Sequence, residues 1–197
     1  MKERIKHLIL VIILVVIDQV TKYLVRTSMD KPIIIIPNVL SLENIRNTGA
    51  AWGILKDSGY FLRIFTLILL FIIIYLYFKI PAGKRFRIIK ILTLFMMAGA
   101  IGNLIDRFFL GYVVDFIYFE IIDFPLFNFA DSCLTVSCII LFLLALFYYK
   151  DDDFAFLEKI FHWKKRDNSP KTDNEVEISV DSKEKMDLTE SEKESKE

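Results

Sequence analysis

Four apolar runs govern what this chain can become: residues 7–26, 60–79, 88–105 and 128–149. A helix needs roughly 20 consecutive apolar residues to cross the hydrocarbon of a bilayer. In hydrocarbon every backbone polar group must be satisfied within the segment itself. The runs therefore predict an α-helical polytopic membrane protein with four transmembrane helices. The 54% hydrophobic content of the 197 residues and the mean hydropathy of +0.44 are gathered into these runs.

The start, Met1-Lys2-Glu3-Arg4-Ile5-Lys6 before a Leu/Ile/Val run, has the layout of a secretory leader. No small-x-small cleavage site follows, and Asp18-Gln19 interrupts the run, so an uncleaved first span is expected. Between spans one and two, 33–36 and 39–44 predict short strands around a turn at Pro37-Asn38. Residues 47–53, rich in small side chains, predict a loop or re-entrant piece that carries Trp52. Ala98-Gly99-Ala100-Ile101-Gly102 in span three suits close helix packing. A loop is expected over about 106–127.

Two domains are expected: a membrane domain over 1–150 and a charged tail over 151–197. From Asn168 the tail has ten acidic residues, five lysines and no aromatic, which predicts disorder from about 168. Lys2, Arg4 and Lys6, then Lys79, Lys84, Arg85, Arg87 and Lys90, then Lys150, Lys164, Lys165 and Arg166 flank alternate span ends. Positive charge stays inside, so both termini are expected in the cytoplasm and loops 27–59 and 106–127 outside.

That topology gathers the costly polar residues at one depth. Asp18 and Lys22 fall in the outer half of span one. Asn103 and Asp106 fall at the outer end of span three, followed by Arg107. Asn128 and Asp131 open span four, and Asp115 sits on the loop between them. Ionisable groups at membrane depth mark functional sites. Structural roles compete for several of them. Asp18 and Lys22 are spaced as an i, i+4 helical pair. Asn128 and Asp131 fit a capping box. Asp106, at a helix C-terminus, opposes the macrodipole and would need an ion pair such as a neighbouring arginine. Asp115, flanked by Val113-Val114 and Phe116-Ile117, has no such account.

The two histidines, His7 and His162, belong to the cytoplasmic side, and no phosphate-cradling glycine loop is present. Cys133 and Cys138, five apart in an apolar run, suit neither a metal site nor a disulfide framework. No metal, cofactor or nucleic acid is called for. Two chemistries remain. A pair of aspartates could share a proton, one activating water and one protonating the leaving group. Alternatively, the carboxylates could line a cation or proton path. The absence of polar residues through the depth of spans two and four speaks against the path. Spacing alone does not choose between Asp106 and Asp115.

Five motifs in order resemble those of the bacterial lipoprotein signal peptidases, the signal peptidase II family. They are Asp18-Gln19-Val20-Thr21-Lys22; Arg46-Asn47-Thr48-Gly49-Ala50-Ala51-Trp52-Gly53; Gly99 to Arg107; Val113-Val114-Asp115-Phe116; and Phe127-Asn128-Phe129-Ala130-Asp131-Ser132. Ile45 stands where many members have His. The resemblance covers about 7–149. It implies four spans, a small extracytoplasmic β-cradle and a short amphipathic element in loop one. It implies an aspartyl endopeptidase of the cytoplasmic (inner) membrane, acting as a monomer near the outer face. The enzyme would cut diacylglyceryl-modified prolipoproteins before the lipidated cysteine, in contact with membrane lipids. The catalytic pair maps onto Asp115 and Asp131. Asp18, Lys22, Asn47, Asn103, Asp106, Arg107 and Asn128 match positions that line or support the site.

Overall fold

Each apolar run folds as one long helix in the computed structural model, which describes residues 2–49, 59–150 and Asp153. Helix α1 spans Lys2–Ser28, α2 Gly59–Lys79, α3 Arg87–Phe109 and α4 Phe129–Phe147. All four are long and apolar enough to cross a membrane. Their outer faces carry bare hydrophobic side chains such as Ile9, Ile13, Phe71 and Phe142. Such faces suit lipid, where apolar exposure costs nothing.

Helices α1, α2 and α3 outrun their hydropathy windows, whereas α4 stops two residues short of its own at Phe147. The window for span three stops at Ile105 because Asp106 and Arg107 follow, yet α3 continues to Phe109. The carboxylate of Asp106 is only 2% exposed and is satisfied by partners from elsewhere in the chain.

Helix α3 is the centre of the bundle, with α1, α2 and α4 all packed on it. Half of its most apolar stretch is buried, against far less in the other three helices. Its small residues explain the closeness to α4. A Cβ added at Gly99 would lie 2.5 Å from the Ala130 carbonyl oxygen and 2.9 Å from Leu134 Cγ. One added at Gly102 would lie 3.0 Å from the Asp18 carboxyl carbon and 3.3 Å from Ala130 Cβ. Gly99→Ala should therefore lower stability by about 1–3 kcal/mol, the usual cost of overpacking. Thermal unfolding in detergent measures it. Gly59→Ala serves as the control, because nothing there comes nearer than 3.6 Å.

A three-stranded antiparallel sheet, ordered β1-β2-β3, caps one end of the bundle. β1 is Ile33–Ile36 and β2 is Leu40–Asn47. They form the expected hairpin, with Asn38 in the left-handed region at φ 58°, where Asn is tolerated best among non-glycine residues. The third strand comes from the loop expected over 106–127. β3, Val113–Phe119, pairs with β2 and leads into a short 3₁₀ turn, Glu120–Ile122. Its first four residues are buried, 1–7% exposed, against the end of α1 and β2.

The short amphipathic element has no counterpart over 29–49, and Trp52 lies in 50–58, outside the described residues. The charged tail likewise lies outside them, except for Asp153, which pairs with Arg85 on the α2–α3 link.

Candidate active site

β3 carries Asp115 to the junction of sheet and bundle. Val113 and Val114 favour the extended backbone, and the register sets Asp115 opposite Ile45 on β2. Its carboxylate is 2% exposed. Asn47 Nδ2 donates to Asp115 Oδ2 at 2.7 Å, and Asn128 Nδ2 donates to Asp115 Oδ1 at 2.7 Å. Burial pushes its pKa up to about 6, and the charge of Asp131 adds to the rise. The two amide donors and Lys22 oppose it.

The sign of the linkage follows from that rise. Between the ordinary carboxylate value and about pH 6, folded Asp115 binds its proton more tightly than the unfolded chain does. Its contribution to stability is present at acid pH and is lost as pH rises through about 6. Asn47→Leu removes one donor to the ionised form. It should raise the pKa of Asp115 further, by the roughly tenfold in proton affinity that one hydrogen bond to a charged group is worth. An NMR or infrared titration of the Asp115 carboxyl measures this, and an unmoved midpoint would contradict it.

Asp131 is set by the start of α4. Asn128 is the N-cap, and its Oδ1 accepts from the Asp131 backbone N–H at 3.0 Å. Asp131 Oδ2 accepts in return from the Asn128 backbone N–H at 3.2 Å. The capping box foreseen for these residues is thus real, and it does not exhaust them. The Asp131 Oδ1 accepts from Asn103 Nδ2 at 2.6 Å. Asn103 Oδ1 accepts from Asn128 Nδ2 at 3.2 Å and from Lys22 Nζ at 2.9 Å. Asp115 and Asp131 are thereby joined through two amides, Asn128 and Asn103. Each amide uses one residue of an i, i+3 pair whose other member is a carboxylate.

Behind this pair lies a second, buried cluster. Lys22 Nζ is 2.9 Å from Asp18 Oδ2 and 3.3 Å from Asp106 Oδ2, with all three side chains 2–3% exposed. Asp18 Oδ1 accepts from the Ala130 backbone N–H at 2.9 Å, which holds the first turn of α4 to α1. Asp106 Oδ2 accepts from the Val114 N–H at 3.1 Å, which holds β3 to α3. Asp106 is therefore paired with Lys22 and not with Arg107.

Gln19 was not among the expected site residues. Its Nε2 lies 3.1 Å from Asp18 Oδ2, 3.1 Å from Asp106 Oδ1 and 3.2 Å from the Gly102 carbonyl. Its place three residues before Lys22 on the same helix was the available signal.

A cavity of about 490 Å³ opens beside the Asp115–Asp131 pair. Asn47, Asn103, Arg107, Asp115 and Asp131 form its polar end, and Leu62, Phe65, Leu69 and Ile73 of α2 face Leu134 and Thr135 of α4 along its apolar length. Asp18, Lys22 and Asp106 do not line it. Lys22 and Asp106 line a second cavity of about 330 Å³ with Gln19, so Asp115 shares a cavity with Asp131 and Asp106 does not. Arg107 Nη2 reaches the Gly49 carbonyl at 3.4 Å, and the side chain lines the cavity.

A family model described as signal peptidase (SPase) II matches residues 10–147. The lipoprotein signal peptidase of Lactiplantibacillus plantarum is 41% identical over 150 residues, 75% of this chain and 97% of that one. That of Staphylococcus aureus (strain JH9) is 43% identical over 140 residues, covering 69% and 85%. Two solved structures of a bacterial membrane enzyme, both obtained by the in meso method, superpose with TM-scores of 0.66 and 0.64 at 38% identity. The first covers 72% of this chain and 87% of that one, and the second 74% and 94%.

Proposed function

This chain belongs to the signal peptidase II family, and from that membership we propose that it cuts by an aspartyl mechanism with Asp115 and Asp131 as the working pair. It is a lipoprotein signal peptidase and a multi-pass membrane hydrolase. One observation carries the aspartyl reading. Two carboxylates from separate elements stand in the wall of one cavity, tied together by Asn103 and Asn128. His7, the one histidine among the described residues, is bonded to Tyr77, far from this end of the bundle.

In the proposed step one proton is shared by the two aspartates. The ionised carboxylate takes a proton from water as the water oxygen attacks the scissile carbonyl carbon. The protonated carboxyl gives its proton to the carbonyl oxygen. As the tetrahedral diol collapses, one of its hydroxyls returns a proton to the carboxylate that had given one up, the C–N bond breaks, and the leaving amine receives the proton first taken from water. Each aspartate ends in a state from which the pair can reload. The pair titrates as a unit. Asn47 and Asn128 hold both oxygens of Asp115, and the N-cap holds Asp131, so neither carboxylate must reorganise during the reaction.

The cavity's shape supports a membrane-borne substrate. Its apolar walls on α2 and α4 suit a signal-peptide helix entering sideways, with the scissile bond level with Asp115. A diacylglyceryl cysteine next to that bond would keep its acyl chains in the bilayer. Arg107 would then meet a substrate carbonyl or the lipid's ester oxygens. The basic residues at the opposite end of the bundle support cytoplasmic termini, a site at the extracytoplasmic face of the cytoplasmic membrane, and a catalytic unit of 1–150.

The test is incubation of the purified enzyme with a diacylglyceryl-modified prolipoprotein and with its unlipidated control. Only the first should be cleaved, immediately before the modified cysteine. Equal cleavage of both would remove the lipid from the recognition scheme.

A further inference from the structure

We propose that the outer sheet rides edge-on in the membrane–water interface, with the four isoleucines of β1 as its lipid-contacting edge. This rests on the extracytoplasmic placement of the sheet given above, and on a surface that the peptidase chemistry does not use. Ile33, Ile34, Ile35 and Ile36 are 48%, 64%, 52% and 49% exposed. Successive residues of a strand point to opposite faces, so Ile33 and Ile34 already lie on opposite sides. A protein laid on one face would leave the other in water. A lipid surface meeting the strand along its edge wets both.

The depth follows from the backbone. β1 is an outer strand of the sheet, next to β2 only, with one row of backbone groups turned outward. Hydrocarbon does not tolerate a bare sheet edge, because nothing there satisfies its N–H and C=O groups. In open water an apolar edge of this kind invites aggregation. The headgroup layer satisfies both demands, since it offers water and ester oxygens to the backbone and acyl chains to the side chains.

A second apolar point adjoins the strand. The Glu120 N–H donates to the Val39 carbonyl at 2.9 Å, which brings the 3₁₀ turn against the hairpin tip. There Ile121 and Ile122 are each 67% exposed.

Continuity with the spanning helices selects lipid as the occupant. α1 ends at Ser28, and only residues 29–32 separate it from β1. Four residues reach at most about 14 Å, so β1 cannot leave the neighbourhood of the outer headgroups. Val20 and Leu24, 50% and 53% exposed on α1, lead the apolar surface up to it. Exposed Lys31 stands beside the strand, where it can meet lipid phosphate. β2 pairs with β1 on one side and with β3 on the other. The interfacial strand would thereby set the height of Asn47 and Asp115 relative to the lipidated cysteine.

The experiment measures depth. Full-length protein with Cys133→Ala and Cys138→Ala carries a nitroxide at Ile34→Cys, Ile121→Cys or, as a water reference, Lys84→Cys, in phosphatidylglycerol/phosphatidylethanolamine nanodiscs. Labels at 34 and 121 should show higher oxygen accessibility and lower nickel-chelate accessibility than the label at 84. Nickel accessibility at 34 and 121 equal to that at 84 would overturn the proposal. So would spin–spin broadening at 34 that grows with protein per disc, which would mark a second copy on the edge. The readout needs no catalysis, so a failed cleavage assay and a failed depth measurement are separate results.

Discussion

Asp115→Asn should abolish signal-peptide removal while leaving the protein folded and inserted, and Asp131→Asn should do the same. Removing a general acid or base costs about 10²–10⁴ in rate. The two are proposed to act as one unit, so either loss should approach the loss of both. The variants should differ in stability. Asp115 is a buried carboxylate with its pKa raised to about 6, so a neutral amide there removes a charge that burial disfavours. Asp115→Asn should be as stable as the parent, or more so, above pH 6. Asp131 closes the capping box with Asn128, and Asp131→Asn should lose about 1 kcal/mol of helix-start stability. Single-turnover cleavage and thermal unfolding on the same preparations measure both. Full processing by either variant would refute the dyad.

Lys22→Met should be the most destabilising single change in the protein. Lys22 is 2% exposed and sits between Asp18 and Asp106, with a third bond to Asn103. Removing one partner of a buried ionic cluster leaves uncompensated charge and costs about 3–5 kcal/mol. The loss also frees Asn103, which bonds Asp131, so activity should fall together with stability. Asp18→Asn added to Lys22→Met should recover part of the stability, because it removes one orphaned carboxylate. A double-mutant cycle by chemical or thermal unfolding gives the coupling. Lys31→Met, at an exposed position, should stay within about 0.5 kcal/mol of the parent.

Much of this could be read from the residues before any coordinates. The spans announce themselves because lipid demands long uninterrupted apolar runs. The hairpin over 33–44 follows from consecutive isoleucines and the Pro37-Asn38 turn, but β2 runs on to Asn47, which the small residues after it had assigned to a loop. β3 was not legible as a strand. Its apolar run is short and broken by Asp115, and its partner β2 lies more than sixty residues earlier in the chain. The choice between Asp106 and Asp115 was hidden for the same reason. Both are acids in apolar surroundings, and only long-range partners tell them apart. Lys22 and the Val114 N–H engage Asp106 in a buried ionic cluster, whereas Asp115 shares its cavity with Asp131. The resemblance made that choice from motif order, and the geometry supplies a physical reason for it. Asn128 was legible as a helix cap, but its link to Asp115 depends on how the sheet meets the bundle.

The Asp18–Lys22 pair also bears on how the chain can be made. Both charges lie on one turn of α1, four residues apart. They can therefore meet as soon as that helix forms, while the ribosome is still far from α3 and α4. The first span can enter the translocon as an electrically balanced segment that waits for no later partner. When α3 arrives, Asp106 and Asn103 join a cation already seated in the bilayer. The arrival of α4 then places the Ala130 N–H on Asp18. Chain order would thus let the buried cluster assemble stepwise, with the contacts that bring Asp131 to its place forming last. The proposed Asp115–Asp131 pair would exist only once the final span is home.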